Sequence, residues 1–339
     1  MPIDAYAHIV PPRFCARVER LLAEHGVPER IRLFDPWLHE DPVLTSLDER
    51  RRLLEPFPDY RQVLVLGVFP LGELGRPSLT RELAREVNDE LAELVRAYPD
   101  RFAGFAAALP LNDPDGSVEE LERARRSLGA CGALVQTNVE GVALDDPRFE
   151  PLFARAEALG AALWLHPTRS PVWPDYPAER ESRFGIWWSL GWPYETAVAM
   201  TRLVFSGHME RYPRLVVITH HAGGMIPHFS GRLDTIQTED QRDAFENRFT
   251  RPALDYFRRF YADTAMFGAP HAVRCAVEFF GPDHVLFGTD MPLGGPAVIT
   301  DTIADLRGLG LSDADEAAVL SGNAERLLGL SGAAPSSRG

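Results

Sequence analysis

The feature that most constrains the fold of this chain is an alternation of short apolar segments with longer amphipathic ones. Eight segments have the length and composition of β-strands, at residues 2–8, 62–68, 102–109, 132–136, 161–166, 215–221, 259–264 and 284–290. Most are apolar throughout, as expected for strands that are covered on both faces. Segments with helical periodicity lie between them, including residues 80–98, 117–129, 146–160 and 194–212. This α/β alternation predicts a (β/α)8 TIM barrel.

The alternative fold is an open, doubly wound sheet, but no GxGxxG motif follows the first strand. The chain has 339 residues, and barrels commonly exceed about 250 residues as a single unit. We therefore predict one domain over residues 1–330 and a disordered tail at residues 331–339. Residues 9–60 are predicted to form an insertion after the first strand, and residues 167–193 a tryptophan-dense loop after the fifth.

The composition excludes several kinds of chemistry. The chain contains no lysine, since all 35 basic residues are arginine, so Schiff-base catalysis and a carbamylated-lysine metal bridge are excluded. A net charge of −14 without a basic stripe argues against a nucleic-acid partner. No apolar stretch reaches the roughly 18 residues that a membrane span needs, and no signal peptide is recognisable. The separated cysteines Cys15, Cys131 and Cys275 are typical of buried thiols in a cytoplasmic protein.

Four polar side chains stand at the predicted strand ends. His8 closes the first strand, His166 the fifth, His221 the sixth and Asp290 the eighth. A single histidine at such a place is usually a hydrogen-bonded structural residue, but the strand ends of a barrel converge on one mouth, where active sites are built. Two imidazoles and a carboxylate suit a divalent ion such as Zn²⁺ with open positions for water or substrate.

The remaining histidines are expected to have other roles. Because successive side chains of a strand alternate between faces, His220 is predicted to point into the barrel wall, opposite His221. His228 lies one turn into the following helix. Five others fall on predicted helices or loops and are expected to be solvated: His25, His39, His208, His271 and His284.

Five motifs carry a family resemblance. They are "IDAYAHIVPP" (3–12), "LWLHP" (163–167), "THHAGGMIP" (219–227), "FSGRLD" (229–234) and "LFGTDMP" (286–292). In this order and on these strands, they resemble the amidohydrolase-related decarboxylases typified by 2-amino-3-carboxymuconate-6-semialdehyde decarboxylase. The resemblance covers essentially the whole chain and agrees with the predicted barrel.

The resemblance implies a set of functional residues. His8, His166 and Asp290 would bind one divalent metal, zinc as the first expectation and manganese as the second. His221 would act as acid and base beside a metal-bound water, with Asp290 also at the reaction centre. The lack of lysine agrees with this branch of the family, which uses a single metal ion.

The resemblance also implies how substrate is held. Arg232 would reach across the interface of a homodimer to a carboxylate of the small-molecule substrate. Trp188 would lie near the mouth of the pocket. Arginine suits the first role because its planar fork matches a carboxylate.

The chain departs from the family pattern at residue 6, where the first ligand is usually histidine or glutamate and here is Tyr6. Tyr6 could bind the metal as phenolate, since a cation lowers the pKa of a phenol. It could instead hydrogen-bond a bound water or substrate, or the metal could be lost altogether. Residue 6 is thus a candidate catalytic residue with an open role. The family's arginine in the first insertion also has no clear match, although residues 30–35 and 48–52 offer candidates.

Three hypotheses of function follow. The first is a metal-dependent lyase that decarboxylates a small aromatic or unsaturated carboxylic acid. The second is a metal-dependent hydrolase of a small ester, lactone or C–C bond. The third is a metal-free cyclase, hydratase or isomerase built on the same barrel.

Overall fold

Eight parallel strands form one sheet in the order of the chain. The computed structural model describes residues 1–26, 41–67, 70–235 and 238–330. The strands are β1 (Ile3–Ile9), β2 (Arg61–Leu66), β3 (Phe102–Ala107), β4 (Gly132–Gln136), β5 (Ala162–His166), β6 (Val217–Thr219), β7 (Tyr261–Asp263) and β8 (Val285–Leu286). Each of them overlaps one of the eight predicted segments.

Backbone hydrogen bonds between β1 and the segment after β8 close the barrel. The Ala5 amide donates to Phe287 O at 2.8 Å, the Asp290 amide to Tyr6 O at 3.1 Å, and the His8 amide to Met291 O at 2.7 Å. The predicted (β/α)8 fold is therefore confirmed. A short antiparallel hairpin, Asn138–Val139 with Val142–Ala143, follows β4 outside the barrel.

Helices alternate with the strands. Several of them begin with a proline at the first helical position, where the missing N–H would be unpaired in any case. In chain order they are α1 (Pro12–His25), α2 (Pro42–Thr45), α3 (Leu47–Leu54), α4 (Pro77–Ala97), α5 (Pro114–Arg123), α6 (Glu150–Leu159), α7 (Ile186–Ser189), α8 (Gly191–Phe205), α9 (His208–Arg211), α10 (Ile226–Leu233), α11 (Glu239–Asn247), α12 (Ala253–Phe257), α13 (Pro270–Phe280), α14 (Val298–Arg307), α15 (Asp313–Ala317) and α16 (Asn323–Leu328).

The segment after β1 is tied to the barrel by a buried arginine. Arg50 of α3 is fully buried, and it donates to Gln62 Oε1 at 2.8 Å and to the carbonyl oxygen of His8. Burial lowers the pKa of Arg50 to about 10. The boundaries of the insertion stay a prediction, and residues 30–35, His39 and the tail at 331–339 lie outside the described residues.

Two further expectations concern membrane-spanning segments and the state of the cysteines. Across the described ranges, no helix is both long enough and apolar enough to cross a membrane. Cys15 and Cys131 are buried free thiols, and Cys275 is a half-buried one.

A buried carboxylate fastens the start of β1 to the segment after β8. Asp4 accepts hydrogen bonds from the Tyr6 amide at 3.0 Å, from the Thr289 amide at 3.1 Å and from the Thr289 hydroxyl at 2.5 Å. The hydroxyl of Tyr60 donates to the same carboxylate. Burial raises the pKa of Asp4, and these donors oppose the rise.

We expect Asp4→Ala to lower the free energy of unfolding by about 3 kcal/mol or more, because each buried donor left without an acceptor costs about 1–3 kcal/mol. Urea denaturation followed by circular dichroism measures the change. Asp59→Ala, at an exposed turn, is the control and should change stability by no more than about 0.5 kcal/mol. Equal stability of the two variants would show that Asp4 does not fasten the barrel.

Candidate metal centre and active site

The strand ends bring a compact group of buried polar side chains to one mouth of the barrel. The group consists of Tyr6 and His8 on β1, His166 on β5, His220 and His221 after β6, Asp263 on β7 and Asp290 after β8. None of these seven residues is more than 8% exposed. Their chemistry is therefore set by one another more than by bulk solvent.

The carboxylate of Asp290 is the centre of the group. Its Oδ1 lies 3.0 Å from His8 Nε2 and 3.2 Å from His220 Nε2. Although these distances suit hydrogen bonds, none of the three atoms is oriented so as to make one. Nitrogens of His8, His166 and His220 also lie within 4.8 Å of one another. Such converging, unpartnered donor atoms are what a bound cation would satisfy.

Neighbouring groups fix which ring nitrogens face this centre. His166 Nδ1 donates to Pro167 O at 2.7 Å, and His220 Nδ1 donates to the carboxylate of Asp263. The Nε2 atoms are then left to face the interior. Burial lowers the pKa of His166 well below its usual range, and the other imidazoles reinforce that shift, so its ring is neutral. A metal-ligating histidine commonly donates its other N–H to a carbonyl or a carboxylate in this way.

Positive charge is stabilised at the centre of the group. Burial would raise the pKa of Asp290, but His220 and His8 hold it well below its usual range. Burial would likewise lower the pKa of His220, but Asp263 and Asp290 raise it to about 10. The two carboxylates thus favour a cation between them, whether a proton or a metal ion supplies it. Imidazole nitrogens with a carboxylate oxygen are a donor set suited to a divalent transition metal.

His221 faces the cavity beside this centre. Its Nδ1 donates to Ala265 O at 2.9 Å, which leaves Nε2 as its reactive nitrogen. The ring stacks on His220 with 3.8 Å between centroids. Burial and the neighbouring His220 lower the pKa of His221.

The backbone around these residues is in an uncommon conformation. His221, Ala222 and Asp290 have φ values of 53°, 56° and 63°, in the left-handed region that costs most residues energy. At Gly224, φ is 61° and a Cβ atom would stand 2.4 Å from Pro193 O. The glycines after His221 therefore permit the sharp turn that aims its side chain at the mouth.

The prediction for His220 is wrong. We expected alternation to turn it into the barrel wall, but His220 itself is extended (φ −93°, ψ 156°) and continues β6 into the site. The left-handed turn begins only at His221 and brings that next side chain to the same mouth. His220 and His221 consequently both belong to the site. The sequence signal was the consecutive histidine pair followed by two glycines.

Tyr6 lies flat against His220. The two rings are nearly parallel, with 3.8 Å between centroids and 7° between planes, and the Tyr6 hydroxyl is buried without a hydrogen-bond partner. Burial, with Asp263 and Asp290 nearby, raises the pKa of Tyr6 well above its usual value. The neutral phenol is therefore the stable form of Tyr6 when the site holds no added cation.

A cavity of about 690 Å³ opens beside His221 and Asp290. Its wall is largely apolar and includes two tryptophans, a composition typical of sites for small aromatic molecules. The other described residues along it are Asp41, Trp188, Ser189, Trp192, Pro193, Ala265, Met266, Phe267, Leu293 and Gly294. Trp188 is 45% exposed and thus stands at the mouth.

Arg232, predicted to bind substrate, and one arginine of the candidate stretch 48–52 lie outside this cavity wall. Arg232 is exposed on α10 and is not part of this cavity wall. Arg50, within the arginine-rich stretch of the insertion, bonds the backbone of His8 from outside the cavity. Among the described residues, no arginine lines this cavity within its own chain.

The other histidines of the described ranges are not part of this buried group. The expectation that His208 is solvated is wrong, because it is buried with its Nε2 3.0 Å from Glu150 Oε2. His284 is half-buried and stacks on Tyr261. His25, His228 and His271 are exposed.

Comparison with known proteins adds a family to this geometry. The amidohydrolase family model matches residues 3–330. The chain is 34% identical to a gamma-resorcylate decarboxylase of Polaromonas sp. over 85% of this chain and 89% of that protein. It is 28% identical to a 2-amino-3-carboxymuconate-6-semialdehyde decarboxylase of Dictyostelium discoideum, over 97% and 92%.

A solved structure agrees with the fold. A dihydroxybenzoic acid decarboxylase from Polaromonas sp., with bound manganese and the inhibitor 2-nitroresorcinol, superposes with a TM-score of 0.76. It is 27% identical, and the match covers 97% of each chain. The resemblance stated from the motifs is confirmed by these matches.

We expect Mn²⁺ to raise the melting temperature of chelator-treated protein, because an ion that binds only the folded state stabilises it by about 2.7 kcal/mol at 100 times its Kd. For a chain of this size the shift amounts to several degrees. Differential scanning calorimetry measures it. His166→Asn should abolish most of the shift, whereas His208→Asn, outside the site, should retain it. No shift in the parent protein would contradict a metal centre.

Proposed function

The chain belongs to the amidohydrolase family, and on that premise we propose that it is a carboxy-lyase that removes CO₂ from a small aromatic or unsaturated carboxylic acid with one divalent metal ion. The observation that carries the proposal is the group of buried imidazoles around Asp290, at the edge of an aromatic-lined cavity. The relatives named above are decarboxylases of acids of this class.

His8, His166 and Asp290 are the residues that we assign to the metal. The unpartnered atoms of His8 and Asp290 and the fixed ring of His166 fit such an ion. When bound, a divalent ion there supplies positive charge that offsets the carboxylate and any phenolate oxygen of the substrate. Manganese, as in the Polaromonas structure, or zinc, as first expected from the donor set, is the proposed ion.

Decarboxylation requires a proton at a defined carbon. The C–C bond to the carboxylate breaks, its electron pair stays on the ring or alkene carbon, and that carbon takes a proton as CO₂ leaves. We assign delivery of the proton to His221, and the assignment is supported by its Nδ1, which donates to Ala265 O and leaves Nε2 for the cavity. A bound anionic substrate favours the imidazolium form of His221, and the ring then returns to neutral as it protonates carbon.

The cavity wall orients the ring of the substrate. Trp188 and Trp192 are broad, rigid surfaces against which a planar ring packs, and Met266 and Phe267 extend the apolar wall. Closing a ring against such a wall excludes water from the reacting carbon and strengthens the electrostatic effect of the nearby charges.

A homodimer is part of the proposal. Arg232 is exposed and outside its own chain's cavity, so a role toward substrate requires it to reach a neighbouring copy. The homodimer expected from the resemblance would meet that requirement.

We expect His221→Asn to lower kcat for CO₂ release by about 10²- to 10⁴-fold, the usual contribution of a positioned acid or base, with metal content unchanged. Release of CO₂ from 2,6-dihydroxybenzoate, 5-carboxyvanillate and muconate-type acids provides the assay. His228→Asn, an exposed histidine of the next helix, is the control and should remain active.

Two results would contradict this proposal. Hydrolysis of esters or lactones without CO₂ release from any acid would indicate the hydrolase. Activity that survives complete metal removal would indicate metal-free chemistry.

We expect Trp188→Ala to raise KM by up to about 10-fold with little change in kcat, because an aromatic pair contributes about 0.5–1.5 kcal/mol and 1.4 kcal/mol corresponds to a factor of ten. Steady-state kinetics on the best acid measures both constants. Phe184→Ala, at a side chain that is 86% exposed, should leave both unchanged. A fall in kcat alone would place Trp188 in the chemical step instead of in binding.

A further inference from the structure

We propose that His220 is a ligand of the metal ion and takes the place of the ligand that is missing at residue 6. The inference deepens the proposed function. It rests on that function in one respect, which is that the site holds a divalent cation. It assigns four donors to that ion: His8, His166, His220 and Asp290.

The position of His220 carries the first part of the argument. Its Nε2 is 3.2 Å from Asp290 Oδ1, which in turn is 3.0 Å from His8 Nε2. Two donors bound to one ion at about 2.1 Å are separated by roughly 3 to 4 Å, so these spacings are those of neighbouring ligands. The ring is fully buried, and its Nε2 has no hydrogen-bond partner.

The orientation of the ring carries the second part. His220 Nδ1 donates to Asp263 Oδ2, while Asp263 Oδ1 accepts from the amides of Ala222 and Ala265 at 3.2 Å each. Asp263 is therefore itself held on the far side of the ring. A carboxylate that accepts the outer N–H of a histidine orients the inner nitrogen toward a metal. If His220 only filled space, there would be no need for a carboxylate to fix its Nδ1 while its Nε2 has no hydrogen-bond partner.

The stacking of Tyr6 carries the third part. Its ring covers one face of His220 at 3.8 Å, and His221 covers the other face at 3.8 Å. His220 is thus confined between two rings and can offer only its edge to the centre. Residue 6 supplies that confinement, and residue 220 supplies the donor atom.

This arrangement divides two roles between consecutive residues. His220 faces inward to the ion, and His221 faces the substrate cavity. The two side chains point differently because the backbone turns into the left-handed region at His221 and Ala222. Asp263 and Tyr6 act through His220, as positioning residues.

The test is the affinity for Mn²⁺, measured by the EPR signal of free Mn²⁺ during titration of chelator-treated protein. We expect His220→Asn to weaken binding by about 100-fold or more, since loss of outer-shell support alone costs 10- to 100-fold. Asp263→Asn, which keeps the carbonyl acceptor, should weaken it by about 10- to 100-fold. His208→Asn, a buried histidine outside the site, is the matched control and should bind as the parent does.

A compensating change makes the test specific. In the double variant Tyr6→His with His220→Asn, a histidine returns to residue 6, and we expect affinity to recover most of the loss. Far-UV circular dichroism reports whether each variant is folded. Pulsed EPR of the Mn²⁺-loaded parent needs no variant and should detect three coordinated imidazole nitrogens.

The outcomes separate the two proposals. Two imidazole nitrogens in the parent, with unchanged Mn²⁺ affinity in His220→Asn, would overturn the role of His220 and leave the proposed function standing. His220 would then be an imidazolium bridging Asp263 and Asp290. A parent protein that binds neither Mn²⁺ nor Zn²⁺ would overturn both.

Discussion

A buried carboxylate surrounded by imidazoles is the constraint around which this end of the barrel is built. Asp290 is only 3% exposed, and a carboxylate removed from water is costly unless positive charge or hydrogen bonds replace the lost hydration. His8 and His220 approach the same oxygen without sharing a hydrogen with it. Because Asp263 adds a second carboxylate on the other side of His220, the group as a whole requires a cation.

The closure of the barrel and the geometry of the site depend on the same backbone hydrogen bonds. The bonds that join β1 to the segment after β8 involve the amides of His8 and Asp290 themselves. They set the distance between the first and last strands and therefore the distance between those two side chains. The hydrogen bonds from Thr289 to Asp4 fasten the same junction.

The sequence predicted the barrel because parallel strands that are covered on both faces are apolar along their whole length and are therefore easy to recognise. It also predicted His8, His166 and Asp290, since a polar residue at the end of an apolar run stands out. It could not place His220, because periodicity does not say which of two consecutive histidines faces the interior. His220 is extended and faces it, and the left-handed turn that begins at His221 brings the second histidine to the same mouth. Arg50 was equally hidden, because one arginine of a charged stretch is buried and its neighbours give no sign of which one.

The tyrosine at residue 6 follows from the position of His220. A ligand is defined by where its donor atom stands, and two strands of a barrel can deliver a donor to the same region from different sides. An imidazole or carboxylate at residue 6 would add a lone pair or a charge to a centre already supplied by His220. A neutral ring stacked at 3.8 Å adds packing and holds the plane of the imidazole instead. Residues 6 and 220 therefore act as one unit, and exchanging either alone leaves the centre with one donor too many or one too few.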